Sequence, residues 1–111
     1  MNNLNLIIIE GRLTKDPELN YTSSGTAYSN IPLAVNRKYK ETEEVSFFDV
    51  SVWQKTAETC QQYLTKGSLI RIQGRLKQDR WEDDNNQKRS SVKIIADRVD
   101  FISTRNNQNG E

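Results

Sequence analysis

The 111-residue chain has no histidine, a single cysteine and no apolar run near the ~18 residues of a membrane span. Without histidine, the commonest general base and metal ligand is gone. One cysteine, Cys60, excludes an internal disulfide and a Cys-rich zinc site, and points to a reducing compartment. A hydrolase or metalloenzyme would have to rely on carboxylates alone. The acidic pair Asp83-Asp84 lies among Glu82, Asn85 and Asn86, which reads as a loop tip rather than a catalytic dyad. No catalytic residue, metal or cofactor is therefore expected. The start Met1-Asn2-Asn3 lacks the basic-then-apolar layout of a signal peptide. Bulk charge is also uninformative, with 16 basic against 15 acidic residues and a net +1. A polyanionic partner would have to be argued from how the charge is distributed. At 34% hydrophobic, one small domain is short of core, and oligomerisation would relieve the shortage.

What is present centres on residues 47–76. Phe47-Phe48-Asp49-Val50-Ser51-Val52-Trp53 alternates, with Phe48, Val50 and Val52 on one side and Phe47, Asp49, Ser51 and Trp53 on the other. Ser68 to Leu76 alternates as well. Ile70, Ile72 and Leu76 share a face, opposite Arg71, Gln73, Arg75 and Lys77. Each strand thus has one face for a core and a second that carries rings or cations. Flat rings suit unstacked bases and cations suit phosphates. The plainer reading is a half-buried sheet with stray aromatics and a solvated basic strand.

Upstream, Leu6 to Ile9 reads as a strand covered on both sides, with Gly11 at a bulge or bend. Turns follow at residues 15–18 and 21–26. A strand from about Thr26 to Asn36 puts Ile31, Leu33 and Val35 on one face, and Pro32 implies a bulge or a missing ladder donor. Asn36 to Glu44 reads as a mobile hairpin loop, basic at Arg37, Lys38 and Lys40 around Tyr39, then acidic. Gln54 to Thr65 is the one helix candidate, with Ala57, Cys60 and Leu64 at helical spacing, Lys66 at its negative end and Gly67 at C′. Gln78 to Glu82 continues the fourth strand, and residues 83–87 turn. The last strand, Lys88 to Ile102, shifts its apolar side near Asp97, as a bulge would. No internal repeat or domain linker interrupts the chain. Five short strands with one helix after the third define an all-β, five-stranded Greek-key barrel of the OB type over residues 1–104, with 105–111 a short polar, disordered tail.

The chain resembles the DNA-binding domain of the bacterial single-stranded-DNA-binding protein family over nearly its whole length. The matching stretches are Gly11-Arg12-Leu13, Asp16-Pro17-Glu18, Tyr21 with Gly25, Leu33 to Arg37, Tyr63 to Ser68, and Gly74-Arg75-Leu76. The resemblance implies base-stacking roles for Tyr39, Phe47, Trp53 and Trp81, and phosphate contacts at Lys55, Lys66 and Arg80. Arg71, Arg75 and Lys77 join the phosphate set from strand parity, and Arg37 and Lys38 from the basic half of the hairpin. It further implies a cytoplasmic, nucleoid-associated homotetramer paired partly through first strands, with Phe48 at a core or subunit contact, serving replication, recombination and repair. The acidic, Phe-ended tip of the family is absent before Asn109-Gly110-Glu111. Recruitment of replication and repair partners through it is therefore not expected, whether the chain is a short paralog, a mobile-element version or a piece cut at the domain end. Asp49 departs from the family pattern and is expected to need a cation such as Arg71 or Lys77. The alternative within the same lineage is a primosome-type OB adaptor for replication restart that binds DNA weakly.

Overall fold

The computed structural model describes residues 2–103; the expectation for residues 105–111 lies outside the described residues. Six strands and one helix follow in the order β1 (Ile7–Leu13), β2 (Asn20–Tyr21), β3 (Ala27–Tyr39), β4 (Thr42–Trp53), α1 (Gln54–Tyr63), β5 (Leu69–Glu82) and β6 (Lys88–Ser103). The five long strands close into a barrel. Hydrogen-bonded neighbours run β1-β5-β6-β4-β3, and a β1–β3 pairing at Arg12↔Ala34 and Leu13↔Leu33 shuts the ring. β4 and β6 pair in parallel, the other long pairs antiparallel. This is the expected OB-type barrel, with the helix between the third and fourth long strands. The added β2 is a two-residue pairing on β3, next to the turn in which Gly25 takes a φ of 91°.

Alternation decides what goes inside. Ile31, Leu33, Val50, Val52, Ile70, Ile72 and Ile94 are fully or almost fully buried, and Ala57, Cys60 and Leu64 bring α1 onto the same core. Burial pushes the Cys60 thiol up to about 11, so at neutral pH it is a small apolar filler. Gly11 sits where β1 passes from β5 to β3, and a Cβ there would meet the Ala34 carbonyl oxygen at 2.5 Å. The strand makes this passage without a register shift in its ladder to β5. Pro32 interrupts nothing either. Its carbonyl accepts from the Thr14 N–H on the β1 side, and its nitrogen faces the same side, beyond the last β1–β3 residue pair. The predicted bulge near Asp97 is present: Gln73 opposes Arg98 and Gly74 opposes Ala96, which leaves Asp97 unpaired in the ladder.

Four expectations need correction. Residues 36–44 are a paired ribbon that closes in two residues, Lys40 and Glu41, because Arg37 lies opposite Glu44 and Lys38 opposite Glu43. Opposite charges across an antiparallel pair support a ladder that lacks apolar alternation. Lys40 takes a φ of 56° to make this turn. The helix ends at Tyr63, so Gly67 (φ 91°) and Lys66 belong to the following turn rather than to its cap. Within one chain the first strand is covered on one side only. Ile7 and Ile9 pack on the core, whereas Leu6 and Ile8 are more than half exposed. Ser51 is buried rather than outward, because β6 runs beside it at Ile95.

Candidate nucleic-acid interface

Directly opposed residues of an antiparallel pair share a face. On the outer face of the β3–β4 ribbon, Trp53 therefore stands with Tyr28, Asp49 with Pro32, Phe47 with Ala34, and Lys38 with Glu43. The Trp53 and Tyr28 rings are stacked, 5.1 Å apart with an interplanar angle of 28°. Tyr28 covers one side of the indole, whose residue remains 39% exposed, and Phe47 is 69% exposed further along the strand. Six residues of strand separate these two rings by roughly 20 Å.

The strongest constellation lies where β4, β5 and β6 meet. A groove of about 540 Å³ brings Trp53 together with Arg75, Lys77 and Lys93 over a floor of Ile95 and Ala96. The strand-parity cations Arg75 and Lys77 thus meet a predicted stacking ring. Arg75 makes no ion pair among the described residues, whereas Lys77 Nζ lies 2.6 Å from Asp79 Oδ1.

The other predicted residues fall elsewhere. Trp81 stands with Arg80 and Arg89 at the β5–β6 tip, which Asp83 organises. Asp83 Oδ1 accepts the N–H groups of Asn85 and Gln87, and its Oδ2 accepts from Arg89 Nε. The Gln87 bond above all, then Arg89, holds its carboxyl below the usual aspartate value. Arg80 donates to Gln78 Oε1 rather than to a carboxylate. Tyr39 is the last residue of β3, not a loop residue, and parity sets it with Arg37 on the ribbon's reverse side from Phe47 and Trp53. Lys55 lies in the first turn of α1, beside a groove against Arg98 and Phe101. Lys66 is past the far end of that helix, about 15 Å of helix from Trp53, where its N–H donates to Asp16 Oδ1. Arg71 faces β1 and pairs with Glu10 at 3.0 Å.

Asp49, expected to lean on Arg71 or Lys77, has no ion pair among the described residues, since those cations are engaged by Glu10 and Asp79. It is an exposed negative charge between two exposed rings. Asp49→Asn should tighten oligonucleotide binding about two- to fivefold at low salt, the scale of one exposed charge interaction. A severalfold loss in the same titration would make Asp49 an orienting group instead.

Sequence reasoning overlooked Tyr28, Lys93 and Asp79. Tyr28 is found by counting back from the two-residue turn, which sets it opposite Trp53. Lys93 is found by the parity that puts Ile94 inside.

An OB barrel whose third long strand carries exposed rings beside cations is the oligonucleotide-binding form of this fold. The profile of the single-strand binding protein family matches residues 4–102, and the chain belongs to that family, which is one of DNA-binding proteins and not of enzymes. It is similar to the single-stranded DNA-binding protein of Treponema pallidum, 41% identical over 108 residues, covering 94% of this chain and 61% of that protein. That of Wolinella succinogenes is 40% identical over 111 residues, 96% of this chain and 68% of the relative. That of Thermosynechococcus vestitus is 40% identical over 103 residues, 92% and 85% respectively. The chain thus spans about three fifths of the length of the Treponema protein and over four fifths of the Thermosynechococcus one. Among the described residues no cluster of three acidic, Cys or His side chains is placed to hold a metal, and no helix is long and apolar enough to cross a membrane.

Proposed function

We propose that this protein binds single-stranded DNA without regard to sequence, covering it and removing hairpins during replication, recombination or repair in the cytoplasm, at the nucleoid. The observation that carries this reading is Trp53, exposed, backed by Tyr28 and facing Arg75, Lys77 and Lys93 in one groove. Bases stack on Trp53 and Phe47 along β4, and on Trp81 and Tyr39 at the tips of the two long hairpins. Phosphates take Arg75, Lys77, Arg80 and Lys55, two residues after Trp53, first; Arg37, Lys38, Lys66 and Arg71 lie along the outer path of a longer strand. The Glu10–Arg71 and Asp79–Lys77 pairs are exposed, and such pairs are worth only about 0–1 kcal/mol, so a phosphate exchanges for either carboxylate at little cost. A restart adaptor has no use for this many exposed rings. A labelled single strand challenged with unlabelled duplex of the same sequence tests the reading. The single strand should stay bound at a large excess of duplex; equal competition by the two would refute it.

Assembly as a homotetramer belongs to the same reading. β1 meets β3 only at Arg12 and Leu13, so the edge of its earlier residues stays open, and Leu4, Leu6 and Ile8 are exposed along it. A second copy pairing there would cover that edge and its apolar side chains. Light scattering at micromolar concentration should give four times the chain mass. A monomer would contradict the assembly and leave β1 unexplained.

A further inference from the structure

Lys77 on β5 and Lys93 on β6 stand directly opposite each other in their ladder. Like charges so placed repel. Asp79, two residues along β5 on the same face, takes both: Lys77 Nζ is 2.6 Å from Oδ1 and Lys93 Nζ is 3.3 Å from Oδ2. The hydrogen bond from Lys77, then that from Lys93, holds the Asp79 carboxyl below its ordinary value. The two lysines line the Trp53 groove, with Arg75 two residues before Lys77 on the same face. Asp97 is the one acidic residue of that lining, and Asp79 reaches the groove only through its pairs with the two lysines.

A carboxylate held between two ammonium groups carries the charge, and fills the place, that a phosphodiester would bring. We infer that Lys93 is a further phosphate contact of the groove, and that Asp79 is an internal competitor for the polyanion, holding Lys77 and Lys93 in the free protein and yielding them when a strand crosses Trp53. This inference rests on single-stranded DNA being the ligand. The exchange is easy for a physical reason. The three side chains are between 31% and 47% exposed, so the carboxylate pairs are weak, and a phosphate replaces one unit negative charge with another. Asp79 also explains how two lysines can be kept face to face without unzipping the β5–β6 arm. If Asp79 served to aim the lysines at phosphate instead, its removal would weaken binding.

Affinity for a short oligo(dT), measured across a range of KCl concentrations for the full chain and its variants, separates these roles. Asp79→Asn should bind about two- to fivefold tighter at low salt, the scale of one exposed ion pair. Its plot of log affinity against log salt should be steeper by up to about 0.7, one phosphate contact on a single strand. Lys93→Gln should bind more weakly with a shallower slope. In a background of Lys77→Gln with Lys93→Gln, the gain from Asp79→Asn should vanish, because the competitor then has nothing to withhold. A second readout needs no variant: carboxyl-carbon NMR of the wild-type protein should show the Asp79 titration moving up towards the ordinary aspartate range when oligonucleotide saturates it. Unchanged or weaker binding by folded Asp79→Asn, a gain that persists without the lysines, or an Asp79 titration unmoved by oligonucleotide would each overturn the inference. Failure of the wild-type protein to bind oligo(dT) would show first and separately. It would remove the single-stranded-DNA reading and this inference with it.

Discussion

Trp53→Ala should weaken binding of a short oligonucleotide by roughly five- to a hundredfold, and by nearly the same factor at low and high salt. Base–ring stacking is worth about 1–3 kcal/mol per base, and it releases no counterions. The geometry favours the upper part of that range, because Tyr28 already holds one side of the indole at 5.1 Å and the ring needs little ordering on binding. Lys55→Ala provides the contrast. Its loss should shrink as salt rises, since a phosphate contact draws its value from counterion release. A short oligonucleotide is needed, because many rings in an assembly would share the loss of one. Equal losses for both variants at every salt concentration would refute this division between rings and cations.

Gly74→Ala should cost about 3 kcal/mol or more and lower the melting temperature by roughly 10–20 °C, which a circular-dichroism melt would show. A Cβ at Gly74 would overlap the Ile95 carbonyl oxygen and press on the Ala96 Cα at 3.0 Å. Both obstacles are backbone atoms of β6, directly beside the Asp97 bulge. Neither can swing aside as a side-chain end would, and the same strand carries Lys93 into the Trp53 groove. Gly25→Ala is the control. Gly25 needs its left-handed φ of 91°, but nothing lies within 4 Å of a Cβ there, so only conformational strain of about 1 kcal/mol is at stake. A Gly74→Ala protein as stable as the parent would mean that β5 and β6 are not held this closely.

Period-two alternation made the barrel legible wherever one face is apolar. Val50 and Val52, Ile70 and Ile72, and Ile31 and Leu33 all point inward as the pattern requires. The break of phase at Asp97 was legible for the same reason, because a bulge leaves a mark on the apolar pattern. Between Asn36 and Glu44 there is no apolar alternation to read. That ribbon is a backbone ladder in which opposite charges face each other across the strands, visible only once the register is known. The site divided along the same line. Parity put Phe47 and Trp53 on one outer face, and Arg75 and Lys77 on another. It could not show that β4 and β6 run side by side and bring Trp53, Arg75 and Lys77 into one groove, since that depends on pairing between strands far apart in the chain. That Arg71 is paired in the free protein was hidden for a related reason: Glu10, its partner, lies 61 residues away on β1.

The central claim is that exposed rings, Trp53 foremost, receive the bases of a single strand. Titrating the intrinsic tryptophan fluorescence of the protein with oligo(dT) at two salt concentrations tests it most directly, since both tryptophans, Trp53 and Trp81, are among the residues proposed to stack. The expected result is saturable quenching at both concentrations, with affinity falling at the higher salt but the depth of quenching at saturation unchanged. Saturating oligonucleotide with tryptophan emission left as it was would take both rings off the contact surface and contradict the account.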